Sequence, residues 1–175
     1  EERIGLPEAV GSLLLREKLT VAVAESCTGG LLGAHITRVS GSSRYFVGGI
    51  IAYGNQIKER YLGVPAGVLQ RYGAVSTRCA EAMAVGVRVR FCADVGVAIT
   101  GIAGPTGGTA DKPVGLVFVA VADADGVVSV RRLFHGGRNA VRQWSVQTAL
   151  DMVRRRVLRV GPEIKEGALG RSGRG

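Results

Sequence analysis

The chain has 175 residues, 46 % hydrophobic and 21 % charged, a balance that suits one globular domain with a sizeable core. No apolar run approaches the roughly 18–20 residues that cross a bilayer and the N-terminal segment lacks a signal-peptide pattern, so no membrane partner and a cytoplasmic setting are expected. The net charge of +9 is uneven: residues 152–175 hold seven Lys or Arg against two Glu, which places +5 of it at the C-terminal end.

In chain order, Pro7 marks a helix start, with Leu6, Val10, Leu13 and Leu14 on one apolar face. Thr20–Ala24 reads as a β-strand, and Thr28–Val39 as a helix closed by the Ser40-Gly-Ser-Ser43 cluster. A second strand is expected over Gly48–Tyr53. Asn55–Tyr72 reads as one or two short helices broken near Gly63-Val-Pro65. Ser76 suits the N-cap of a helix running to about Phe91. Asp94–Thr100 is apolar enough for a buried strand, and a glycine-rich loop follows from Gly101 to Pro113. Val114–Ala122 and Val127–Phe134 flank Asp123-Ala-Asp-Gly126, a hairpin signal. A last helix spans Asn139–Leu158, with Val141, Trp144, Ala149, Met152 and Val153 on partly shared faces. The expected fold class is α/β: a three-layer α/β/α domain over residues 1–160 with a mixed, mostly parallel sheet and one antiparallel hairpin. Residues 161–175 read as a basic, disordered tail.

Chemistry is expected where strands end, because ligands of open α/β sheets collect outside the carboxyl ends of their strands. Ser26, in Glu25-Ser-Cys-Thr-Gly-Gly30, lies between a predicted strand and a predicted helix. It has two readings of equal weight, a helix cap and a nucleophile. A nucleophilic serine needs a base, and His35 and His135 show no spacing that pairs them with it. A lysine of lowered pKa, or a tyrosine beside one, is the alternative. Lys58, five residues after Tyr53, is one choice, and Lys112 at the edge of the glycine-rich loop is another. Cys27 reads as packing. With three widely spaced cysteines and two histidines, neither a disulfide framework nor a metal site is indicated. Arg138 and Arg142 could grip a phosphate or form a solvated helical face.

Seven segments, in order, then carry a resemblance: Glu25–Gly30, Ser40–Ser43, Tyr53-Gly-Asn-Gln-Ile-Lys58, Gly73-Ala-Val-Ser76, Gly101-Ile-Ala-Gly-Pro105, Lys112-Pro-Val-Gly115 and Gly137-Arg-Asn-Ala-Val-Arg142. The chain resembles the CinA C-terminal domain family over about residues 6–158. That resemblance implies hydrolysis of the carboxamide of nicotinamide mononucleotide to nicotinic acid mononucleotide and ammonia, without a metal or other cofactor. It implies a serine nucleophile with lysine and tyrosine assistance, roles that fall to Ser26, Lys58 and Tyr53. The substrate-binding set it suggests is Thr28, Gly29, Gly30, Asn55, Thr100, Gly101, Ala103, Gly104, Arg138 and Arg142, with the amides near Thr28–Gly30 or in the 101–104 loop stabilising an oxyanion. The family associates, so a homo-oligomer is expected. A non-catalytic nucleotide-binding or regulatory module linked to competence and DNA damage is the alternative. Nucleic acid is not an expected partner, since aromatic residues make up only 5 % of the chain and offer no stacking platform.

Overall fold

A computed structural model describes residues 5–159. The elements are α1 (Leu6–Glu17), β1 (Val21–Glu25), α2 (Leu31–Thr37), a 3-10 turn (Ser42–Arg44), β2 (Phe46–Ile51), α3 (Asn55–Leu62) and α4 (Ala66–Tyr72). There follow α5 (Thr77–Arg90), β3 (Val95–Gly101), β4 (Leu116–Asp123), β5 (Gly126–Leu133) and α6 (Arg138–Val157). The five strands lie in the order β2-β1-β3-β4-β5. β1 runs parallel to β2 and β3, and β4 is antiparallel to both of its neighbours. Four of the five strands therefore point the same way and only β4 opposes them, the mixed, mostly parallel sheet of an α/β/α domain.

The alternation of side chains along each strand divides the core in two. Val21, Val23, Val97, Ile99, Val117, Val119 and Val121 face α1, α2 and α6. Ala22, Ala24, Ala98, Ala120 and Ala122, joined by Phe118, face α3, α4 and α5. The second face is built mostly of alanine, so α5 can lie close to the sheet. Gly96 and Gly86 take this further. A methyl group at Gly96 would collide with the Ala84 carbonyl of α5, and one at Gly86 with the Leu62 carbonyl of α3. Close packing of α5 thus also sets where α3 sits, and α3 carries Lys58.

Local signals behave as their chemistry requires. Pro7 occupies the first turn of α1, and the Ser76 hydroxyl accepts from the Cys79 amide at 3.2 Å to cap α5. Three expectations are corrected. α2 starts at Leu31 instead of Thr28, because Gly29 (φ 58°) and Gly30 (φ 98°) take left-handed conformations that cannot continue into a right-handed helix. β2 runs over Phe46–Ile51, two residues ahead of its expected place. Trp144 is 57 % exposed and lies off the buried stripe of Val141, Val146, Ala149, Leu150 and Val153. The expected boundary at 160 and the tail over 161–175 lie outside the described residues.

Candidate active site

β1 is buried along its whole length and ends on Glu25, so the chain leaves the sheet directly into the turn 26–30. The Ser26 amide donates to the Ile99 carbonyl of β3 at 3.0 Å, which anchors the start of that turn. Thr100, fully buried at the end of β3, donates its hydroxyl to the Ala74 carbonyl at 2.8 Å and ties the α4–α5 connection to the same sheet edge.

Lys58 reaches this edge from α3. Its Nζ lies 3.2 Å from Ser26 Oγ, 2.7 Å from the Ala52 carbonyl and 3.2 Å from the Tyr53 carbonyl. The side chain is 1 % exposed, and among the described residues no carboxylate forms an ion pair with it. Burial pushes the Lys58 ammonium below its usual range, more strongly than the nearby Cys79 and Cys27 thiols raise it. The Cys27 thiol is pushed up to about 11, chiefly by burial, which holds it protonated and makes it a poor nucleophile beside Ser26.

A cleft of about 360 Å³ opens over this pair. Of the expected residues, Ser26, Tyr53, Asn55, Lys58, Thr100, Gly101, Ala103, Gly104 and Arg138 line it, and Cys27 does too. Thr28, Gly29, Gly30 and Arg142 do not. The Gly29 amide is spent on the Ser26 carbonyl at 3.0 Å and the Gly30 amide on the Glu25 carboxylate at 3.1 Å. Among the described residues the amides of Cys27, Ala103 and Gly104 donate to no protein carbonyl.

The two arginines of α6 have different surroundings. Arg138 is at the cleft mouth, with Nη1 donating to the Gly104 carbonyl at 2.8 Å and Nη2 to the Tyr53 hydroxyl at 3.1 Å. Tyr53 therefore meets Lys58 through its carbonyl, and its phenol belongs to the mouth. Arg142 donates to the Thr28 carbonyl at 2.8 Å. Lys112, the other lysine weighed as a base, donates to the Tyr72 carbonyl at 2.6 Å and fastens the glycine-rich loop to the end of α4.

Sequence reasoning passed over Glu25, which took no part in any expected site. Its carboxylate, 1 % exposed, accepts from the amides of Gly30, Leu32 and Gly33 at 3.1, 3.0 and 2.8 Å. Here neither Ser26 nor Thr28 caps α2; Glu25 does, from the strand before it. An acidic residue four positions ahead of a glycine pair that opens a helix was the available signal. Ala74, Val75 and Ile102, the apolar walls of the cleft, were not among the expected site residues although their segments carry the resemblance.

A family model described as the CinA C-terminal domain matches residues 4–157. A putative competence-damage inducible protein of Desulforudis audaxviator (strain MP104C) is 56 % identical over 150 residues, covering 85 % of this chain and 36 % of its own length. A CinA-like protein of Koribacter versatilis (strain Ellin345) is 52 % identical over 153 residues, covering 87 % of this chain and 37 % of its own. The chain spans little more than a third of these curated relatives. Among solved structures, the competence/damage inducible protein CihA from Agrobacterium tumefaciens superposes with a TM-score of 0.80 at 40 % identity, covering 86 % of this chain and 94 % of its own. A CinA superfamily protein from Klebsiella pneumoniae 700603 gives a TM-score of 0.85 at 29 % identity, covering 88 % and 96 %.

Proposed function

As the chain belongs to the CinA C-terminal domain family, we propose that it is an amidohydrolase that converts nicotinamide mononucleotide to nicotinic acid mononucleotide and ammonia. The observation that carries this reading is the buried Ser26–Lys58 contact at the floor of an open cleft. Burial at Lys58 Nζ, with no carboxylate paired to it among the described residues, favours the neutral amine. Its two N–H groups donate to Ala52 and Tyr53, which leaves the lone pair for the Ser26 hydroxyl.

In this mechanism Ser26 Oγ attacks the carboxamide carbon while its proton passes to Lys58. The tetrahedral oxyanion is held by the Cys27 amide, next in sequence to the nucleophile, with a second donor from Ala103 or Gly104. Lys58 returns the proton to the departing nitrogen, the C–N bond breaks and ammonia leaves. Water, deprotonated by the same amine, then cleaves the acyl ester to give the carboxylate and free Ser26. Arg138 at the cleft mouth is the cation placed to receive the substrate phosphate, with Tyr53 beside it.

A cytoplasmic setting and a homo-oligomer belong to the same proposal; among the described residues no helix is long and apolar enough to cross a membrane. The deciding experiment is ammonia release from nicotinamide mononucleotide by the wild type and Ser26→Ala, with nicotinamide and its riboside beside it. Turnover by the wild type that Ser26→Ala abolishes supports the reading. Undiminished release by Ser26→Ala ends the serine mechanism, and no release by the wild type turns the reading toward a non-catalytic regulatory module.

A further inference from the structure

We propose that Glu25 and Arg142 are positioning residues for the nucleophile, a buried anion and a cation that clamp the turn 26–30 from two sides; the inference rests on Ser26 being that nucleophile. The turn carries two left-handed glycines and would otherwise be soft. Glu25 stands immediately before it and draws three amides, those of Gly30, Leu32 and Gly33, onto one carboxylate. The first turn of α2 is thereby pulled back against the end of β1. From the other side Arg142, on α6 and 114 residues away in sequence, donates to the Thr28 carbonyl at 2.8 Å. Ser26 and Cys27 lie between these two anchors. With the Ser26 amide fixed on β3, both ends of the short segment that carries the hydroxyl are held.

This assignment takes Arg142 away from the substrate phosphate. Arg142 does not line the cleft, whereas Arg138 does. It also takes the N-terminus of α2 away from any ligand anion, since the Glu25 carboxylate already occupies it.

Glu25→Gln keeps the size of the side chain but turns one acceptor oxygen into an NH₂ that faces a backbone N–H, so at least one of the three bonds is lost. A nucleophile displaced by about 1 Å costs on the order of 100-fold. Glu25→Gln and Arg142→Gln are therefore expected to lower kcat by about 10- to 100-fold on nicotinamide mononucleotide and on the riboside alike, with KM for each little changed. Arg142→Lys, which keeps a donor for the Thr28 carbonyl, should recover part of the loss. Amide exchange at Gly30, Leu32 and Gly33 should quicken in Glu25→Gln. The clamp is overturned if Arg142→Gln raises KM for the phosphorylated substrate and spares the riboside, or if either Gln variant keeps the wild-type kcat. Ser26→Ala, run in parallel, separates the two failures. An inactive Ser26→Ala beside a fully active Glu25→Gln removes only the clamp, whereas an active Ser26→Ala removes the serine reading and the clamp with it.

Discussion

Lys58 Nζ and Ser26 Oγ meet at 3.2 Å across 32 positions of sequence, and the other two partners of that nitrogen are both carbonyl oxygens. An ammonium there would be a buried cation with no counter-charge among the described residues, the arrangement that favours the neutral amine. Neutral lysine is the form that can take a proton.

It follows that kcat/KM should rise with pH as Lys58 loses its proton and level off below 10.5, the ordinary lysine value, because burial lowers the Lys58 pKa. Lys58→Met should lower kcat by about 10²- to 10⁴-fold and remove that limb of the profile. A wild-type profile that is flat until pH 10.5 would count against Lys58 as the base.

The same lowered pKa bears on stability. Between the folded value and 10.5 the unfolded chain binds a proton at Lys58 that the folded chain does not, so stability rises with pH across that window; below the folded value the cost of burying the ammonium is present in full. Lys58→Met lacks this linkage. The difference in Tm, wild type minus variant, should therefore grow more positive as the pH is raised from 7 towards 10 in parallel thermal melts. A difference that is constant or shrinks contradicts the burial account.

The three cysteines should react unequally. Cys92 is exposed, while Cys27 and Cys79 are buried with thiols pushed up to about 11. Iodoacetamide at neutral pH should label Cys92, as read by peptide mass, and leave turnover unchanged. Rapid labelling of Cys27 with parallel inactivation would reopen that thiol as the nucleophile.

Gly86 tests the link between helix packing and the site. A methyl group there collides with the Leu62 carbonyl of α3, a backbone atom that no rotamer change can move aside. Gly86→Ala should cost about 1–3 kcal/mol as overpacking, and each kcal/mol lowers Tm by roughly 2–4 °C in a domain of this size. Because α3 carries Lys58, kcat should fall as well at temperatures where the variant is folded. A variant with wild-type Tm would show that α3 and α5 separate freely.

Much of this was legible in the chain. The buried strands announce themselves as unbroken apolar runs, and Ser76, Pro7 and the Asp123–Gly126 hairpin act through local backbone chemistry that needs no tertiary context. Ser26 and Lys58 could be named because a serine in a chain with two histidines and four lysines has few partners to choose from, and because their segments resemble a known family. The start of α2 was not legible, since the apolar spacing of Leu31, Leu32 and Ile36 does not mark where the helix begins and the left-handed φ angles of Gly29 and Gly30 do.

What the sequence determined by itself, then, was the order of elements and the layered class, set by periodicity and backbone preference, and a short list of side chains from which a family resemblance singled out Ser26 and Lys58. What only the tertiary structure decided was which polar groups engage one another inside the fold. Glu25 accepts from three amides, Arg142 donates through one Nη to the Thr28 carbonyl, and the Tyr53 phenol accepts from Arg138. The two arginine bonds tie α6 to the segments that follow β1 and β2, 114 and 85 positions away, which no local spacing encodes. They put Arg138 on the cleft lining and leave Arg142 off it, because contacts between residues so far apart in sequence exist only once the helices are packed on the sheet.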